Sequence, residues 1–128
     1  MQRIAKAGTT FTQGTNHFAA AARTMAVTAR HVLIADANAR TLATRARQLL
    51  AAGLRVSKAH TSFEAIVKAA YHVPDLILLD GSLQGIDADE TGRLLTTCPV
   101  TAHIPICRLA PGRPLPRRVL AAALRQTA

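Results

Sequence analysis

The stretch PDLILLD, residues 74–80, decides how the rest of the chain is read. Pro74 lacks a backbone N–H and disfavours helical geometry in the residue before it, so it closes whatever helix precedes. Leu76, Ile77, Leu78 and Leu79 then run without a polar residue until Asp80. Four consecutive apolar residues between turn signals describe a strand covered on both faces, as in the middle of a parallel sheet.

Upstream, HVLIA at residues 31–35 is a second run of the same kind, ended by Asp36. The spacing of Leu42, Ala46, Leu49 and Leu50 predicts a helix over 39–52, with Arg40, Arg45 and Arg47 on its other faces and Gly53 as its stop. A short strand is expected over 54–59. Ser62 then caps a helix reaching about His72, with Phe63, Ile66, Val67 and Ala70 as its apolar stripe. Downstream, residues 87–97 read as a helix weakened by Gly92, 104–109 as a fourth strand, and 110–116 as a Gly/Pro loop. Residues 117–125 read as a final helix with Val119, Leu120, Ala123 and Leu124 on its apolar side. Regular alternation of strand and helix with apolar strands means an α/β protein with a parallel sheet between helical layers.

A chain of 128 residues is the size of one domain, which excludes a two-domain enzyme. With 49% hydrophobic and 18% charged residues it can build a core rather than remain disordered. Sixteen Lys plus Arg against seven Asp plus Glu give a net charge of +9, which permits an anionic partner. A reader of single-stranded nucleic acid by base stacking is disfavoured, because there is no Trp and only Tyr71, Phe11, Phe18 and Phe63 are aromatic. Cys98 and Cys107 form neither a CxxC pair nor a zinc spacing, and read as two buried reduced thiols in a cytoplasmic protein. The five histidines show no ligand spacing either. No apolar run approaches the roughly 20 residues that cross a bilayer.

Residues 1–30 form a composition boundary: they hold no Asp or Glu, carry Arg3, Lys6, Arg23 and Arg30, and are rich in Ala and Thr. They read as a flexible basic extension before a domain over 31–128. An acid-poor, hydroxyl-rich start also resembles an organellar transit peptide, and Met25 is an alternative initiator. A chain beginning at Met25 is expected to keep its thermal midpoint.

Side chains at the carboxyl ends of parallel strands converge on the ligand crevice. Asp36 and Asp80 end the first and third strands, neighbours in a 2-1-3-4 order, so the two carboxylates should face one another. Such a pair can hold Mg²⁺, and one member can act as a nucleophile toward a phosphoryl group. Strand-end aspartates are also common caps and turn residues, which is the bland alternative.

Residues 31–109 resemble the receiver domain of two-component response regulators, the CheY-like branch of the flavodoxin-like fold, nearly element by element. The motifs are VLIADAN (32–38), GLRVSKAHTSFEAI (53–66), PDLILLDGSLQGIDADE (74–90) and HIPICRLA (103–110), with PDLILLD the most specific. The resemblance implies a three-layer flavodoxin-like sandwich, Asp80 as phosphoacceptor, and Asp36 with Asp80 as metal ligands. Ser82, two residues past Asp80, and Arg113 become the candidate phosphate contacts.

Several positions depart from the family. The second acid of the usual acidic pair is Ala37, with Asn38 offering only a neutral oxygen, so Mg²⁺ binding is expected to be weak. The switch Ser or Thr corresponds to Ala110, and the family's Lys-Pro has only Arg113-Pro114 as a counterpart. One helix and one strand normally lie between those two positions, where this chain has only Pro111 and Gly112. The reading that follows is a non-enzymatic, atypical single-domain receiver that signals through protein contacts with weak or lost Asp phosphorylation. A phosphorylatable receiver in a phosphorelay is the first alternative, and a basic nucleic-acid-associated protein, on charge alone, the second. The implied partners are a histidine kinase or phosphotransfer protein and a separate effector. Loss of the fifth strand leaves residues 104–109 as a bare edge, so burial against a second copy, as a homodimer, or against a dedicated partner is also expected, the alternative being that the basic N-terminal segment folds back over it.

Overall fold

A computed structural model describes residues 30–125; the expectations for residues 1–29 and 126–128 lie outside it. The elements are β1 (His31–Ala35), α1 (Ala39–Ala51), β2 (Arg55–Ala59), α2 (Ser62–His72), β3 (Leu76–Asp80), α3 (Ala88–Thr97), β4 (Ile106–Leu109) and α4 (Arg117–Arg125). The strands form one parallel sheet in the order β2-β1-β3-β4, as the alternation predicts. Every residue of β1 and β3 is buried, which is why both read as unbroken apolar runs.

Alternation along each strand divides the core in two. Val32, Ile34, Leu76 and Leu78 join Leu42 and Leu49 of α1 and Val119 and Ala123 of α4 on one face. Leu33, Ala35, Ile77 and Leu79 join Ala65 and Ala69 of α2 and Leu95 of α3 on the other. The three layers are thus α1 and α4, the sheet, and α2 and α3. Asp75 binds the starts of β1 and β3 together: its Oδ2 accepts from the His31 N–H at 2.9 Å, its Oδ1 pairs with Arg30 at 3.3 Å, and its own N–H donates to the His31 carbonyl at 2.7 Å.

Several sequence expectations are corrected at the level of elements. α2 is capped by Thr61, whose side chain accepts from the Glu64 N–H, and Ser62 is its first residue. Its sheet-facing side is Ser62, Ala65 and Ala69, with Ile66 only partly buried; Phe63, Val67 and Ala70 of the expected stripe are exposed. Small side chains let the helix axis lie close to the sheet, and the bulky ones are left outside. In α1, Leu50 is exposed and Arg45 is buried, the reverse of the expected assignment. β2 begins at Arg55 and β4 only at Ile106. Leu124 is exposed on α4, while Leu115 before it is buried. Neither cysteine is fully buried, and both are free. Gly53, at φ +89°, makes the turn from α1 into β2 that the sequence assigns to it.

The seven-residue link 110–116 is a loop, as its Gly and Pro residues predict. Gly112 turns it at φ +79°, a conformation that side-chain-bearing residues rarely adopt. α1 holds the link in place, since Gln48 Oε1 accepts from the Leu115 N–H at 2.9 Å.

Candidate functional site

Asp36 and Asp80 arrive at the site because β1 and β3 are adjacent and parallel and both end there. Each carboxylate is all but sealed from solvent, at 0% and 1% exposure. Between them lies Arg45, itself 1% exposed. One turn beyond Leu42 and one before Leu49, Arg45 points to the same face of α1 as those buried leucines. Its Nη1 donates to Asp80 Oδ1 at 2.5 Å and to Asp36 Oδ2 at 3.1 Å. Its Nε donates to the Arg113 carbonyl at 2.8 Å and its Nη2 to the Ala110 carbonyl at 2.8 Å.

The remaining carboxylate oxygens are also occupied. Asp36 Oδ1 accepts from the Asn38 N–H at 2.9 Å and lies 3.4 Å from Ser82 Oγ, while Asp36 Oδ2 accepts from Thr41 Oγ1 at 2.5 Å. Asp80 Oδ2 accepts from the Ser82 N–H at 2.8 Å. Burial works against the charged form of Asp80. The bonds from Ser82 and Arg45, with the guanidinium charge, outweigh it and hold the carboxyl below the ordinary aspartate value.

The site residues expected from sequence therefore converge in part. Asp36, Asp80 and Ser82 meet. Arg113 contributes its backbone carbonyl, and its side chain is exposed. Asn38 does not offer its oxygen to the site, because that atom caps α1 by accepting from the N–H groups of Arg40 and Thr41. Sequence reasoning missed Arg45 and Thr41. The available signal was positional: 42, 45, 46 and 49 form a continuous helical stripe, and reading Arg45 by its charge alone put it outside.

The receiver resemblance implies a divalent cation at this place, and the donor set here does not fit one. The acid that would complete the pair is Ala37, which is exposed, and the carboxylates of Asp36 and Asp80 already share one guanidinium. No cluster of three or more metal-ligating side chains occurs among the described residues.

The sequence matches no protein-family model and no characterised relative. Among solved structures, the N-terminal domain of a response regulator receiver protein from Methanoculleus marisnigri JR1 is 26% identical at a TM-score of 0.62, over 77% of this chain and 78% of that one. The chain has the fold of a response-regulator receiver domain. Chemotaxis response regulator CheY4 of Vibrio cholerae shares that fold at a TM-score of 0.67 and 18% identity, over 78% of this chain and 99% of that one. A receiver domain protein from Clostridium thermocellum does so at 0.67 and 16%, over 77% and 93%. The five-stranded 2-1-3-4-5 receiver sheet is here a sheet of four among the described residues. No described helix is long and apolar enough to cross a membrane.

Proposed function

We propose that this chain is an atypical receiver of signal transduction that acts through protein contacts, and that Arg45 stands permanently where other receivers bind a divalent cation. The observation that carries this reading is the guanidinium donating to both strand-end carboxylates from inside the core. One fixed cation supplies charge that a metal would supply reversibly. The same guanidinium ties down the carbonyls of Ala110 and Arg113, at the positions of the receiver's switch residue and lysine. Asp80 is then a structural acid rather than a phosphoacceptor. A nucleophile for phosphoryl transfer needs an oxygen open to in-line attack and a charge clamp free to meet the transferring group. Asp80 has one oxygen on Arg45, the other on the Ser82 N–H, and almost no exposure.

Incubation of the full chain with acetyl phosphate and Mg²⁺, followed by intact-mass measurement, tests the proposal. The expected result is no mass increase. Stable phosphorylation that disappears in Asp80→Asn overturns it and supports a working phosphorelay receiver.

A further inference from the structure

The outer edge of β4 lies beside the Arg45 cluster, and the groove along it shares Arg45, Ala110 and Arg113 with that cluster. The Ile77 N–H donates to the Pro105 carbonyl and the Gly81 N–H to the Leu109 carbonyl, each at 3.0 Å. Strand alternation turns Cys107 the same way, toward β3. The N–H and C=O groups of Ile106 and Arg108 consequently point outward, where a fifth strand would lie, and among the described residues no strand pairs with them. Beside this edge, between β4 and α4, runs a groove of about 390 Å³. Leu109, Pro116 and Val119 give it apolar lining, and Arg113 and Arg118 stand exposed around it, while the exposed Arg108 side chain reaches Asp89 on the α3 side of the sheet.

Charge selects what can fill it. All seven acidic residues of the chain lie between positions 36 and 90, whereas residues 91–128 carry six arginines and no acid. At the edge, Arg108 pairs with Asp89 through an exposed contact, of the kind that contributes little. A second copy pairing edge to edge would bring arginine rows together on two chains of +9 each. Residues 1–30, also without an acid, offer no complement. The outward backbone groups match an extended polypeptide, since they repeat at strand spacing.

We infer that the β4 edge binds an acidic, extended segment of another protein, which adds to the sheet as its fifth strand and sets the carboxylates of its groove-facing side against Arg113 and Arg118. Main-chain hydrogen bonds to Ile106 and Arg108 give register, and alternate side chains enter the groove.

Fluorescence anisotropy with the full chain provides the test, using a labelled peptide of alternating valine and glutamate as probe. Binding is expected, and it should weaken steeply with added salt. Arg118→Glu together with Arg113→Glu should weaken it about tenfold, two exposed charge pairs being lost and reversed. Ile106→Pro removes an outward N–H without touching the bonds to β3, and should also weaken it while the melting temperature shows the chain folded. A peptide of the same charge with proline at alternate positions should fail to bind. Equal binding of the proline peptide overturns the inference, because charge alone then suffices. Equal competition by an oligonucleotide of matched charge overturns it in favour of nucleic acid, and a stable homodimer that excludes the peptide overturns it in favour of a second copy.

Discussion

Arg45 makes four hydrogen bonds from a position with almost no solvent contact, so what happens on its removal is dictated by what it leaves behind. Arg45→Ala strands two buried carboxylates and two carbonyls, and should destabilise the protein by about 3–5 kcal/mol, measured by urea unfolding. Adding Asp80→Asn to that variant should restore part of the loss, since one uncompensated charge disappears. If the two changes are simply additive, the guanidinium and Asp80 are not coupled. Ala37→Asp alone should leave Mg²⁺ binding undetectable by calorimetry, because the guanidinium remains between the carboxylates. Ala37→Asp combined with Arg45→Ala should create a measurable site, as a second acid then faces an unneutralised pair.

His31 gives the pH response its sign. Burial pushes this imidazole below the ordinary histidine value of 6.5, with Arg55 and His72 adding to the effect and Asp75 opposing it. Its Nε2 lies 2.6 Å from Ser57 Oγ. The unfolded chain therefore binds a proton at a pH where the folded chain does not, and stability falls as pH drops below 6.5. Asp80 adds a second loss. Its folded value lies below 3.8, so its contribution is complete above that and vanishes as pH falls through the lowered value. Urea midpoints from pH 8 to 5 should decline, and His31→Gln should flatten that decline.

At the scale of elements, α2 offers the clearest test of which face a helix buries. Phe63, Val67 and Tyr71, four residues apart, are 71%, 53% and 81% exposed. Phe63→Ser with Val67→Ser should change stability by less than about 1 kcal/mol, whereas Ala65→Ser or Ala69→Leu, against the sheet, should cost more. α2 ends at Val73, a β-branched residue at φ +46° and ψ +66°. That left-handed conformation strains any side chain with a branched Cβ. Val73→Gly should raise stability by about 1 kcal/mol, detectable as a higher urea midpoint. The cap was illegible in sequence because Pro74 announces that the helix ends and says nothing about the conformation that ends it. The stripe of α2 was misread for a related reason: Ser62, Ala65 and Ala69 repeat at helical spacing as clearly as the large residues do, and hydrophobicity favours the large ones. Only proximity to β1, β2 and α3 makes small side chains the buried set.

The whole molecule was the most legible scale. PDLILLD and HVLIA specify two central parallel strands because a strand covered by helices on both faces must be apolar throughout. Helix spacing between them, with the Gly53 and Pro74 stops, then implies the layered α/β order. The short link 110–116 likewise announced a sheet shorter than five strands, since no helix and strand can be built from seven residues. The tertiary structure alone decided the chemistry at the end of those strands. Arg45 stands 9 residues from Asp36 and 35 from Asp80, and nothing in local sequence says that a charged residue on α1 turns inward. It does so because two carboxylates and two carbonyls, from the ends of β1 and β3 and from the link 110–116, surround a single point in the core, and a buried cation is tolerated only where such partners already converge.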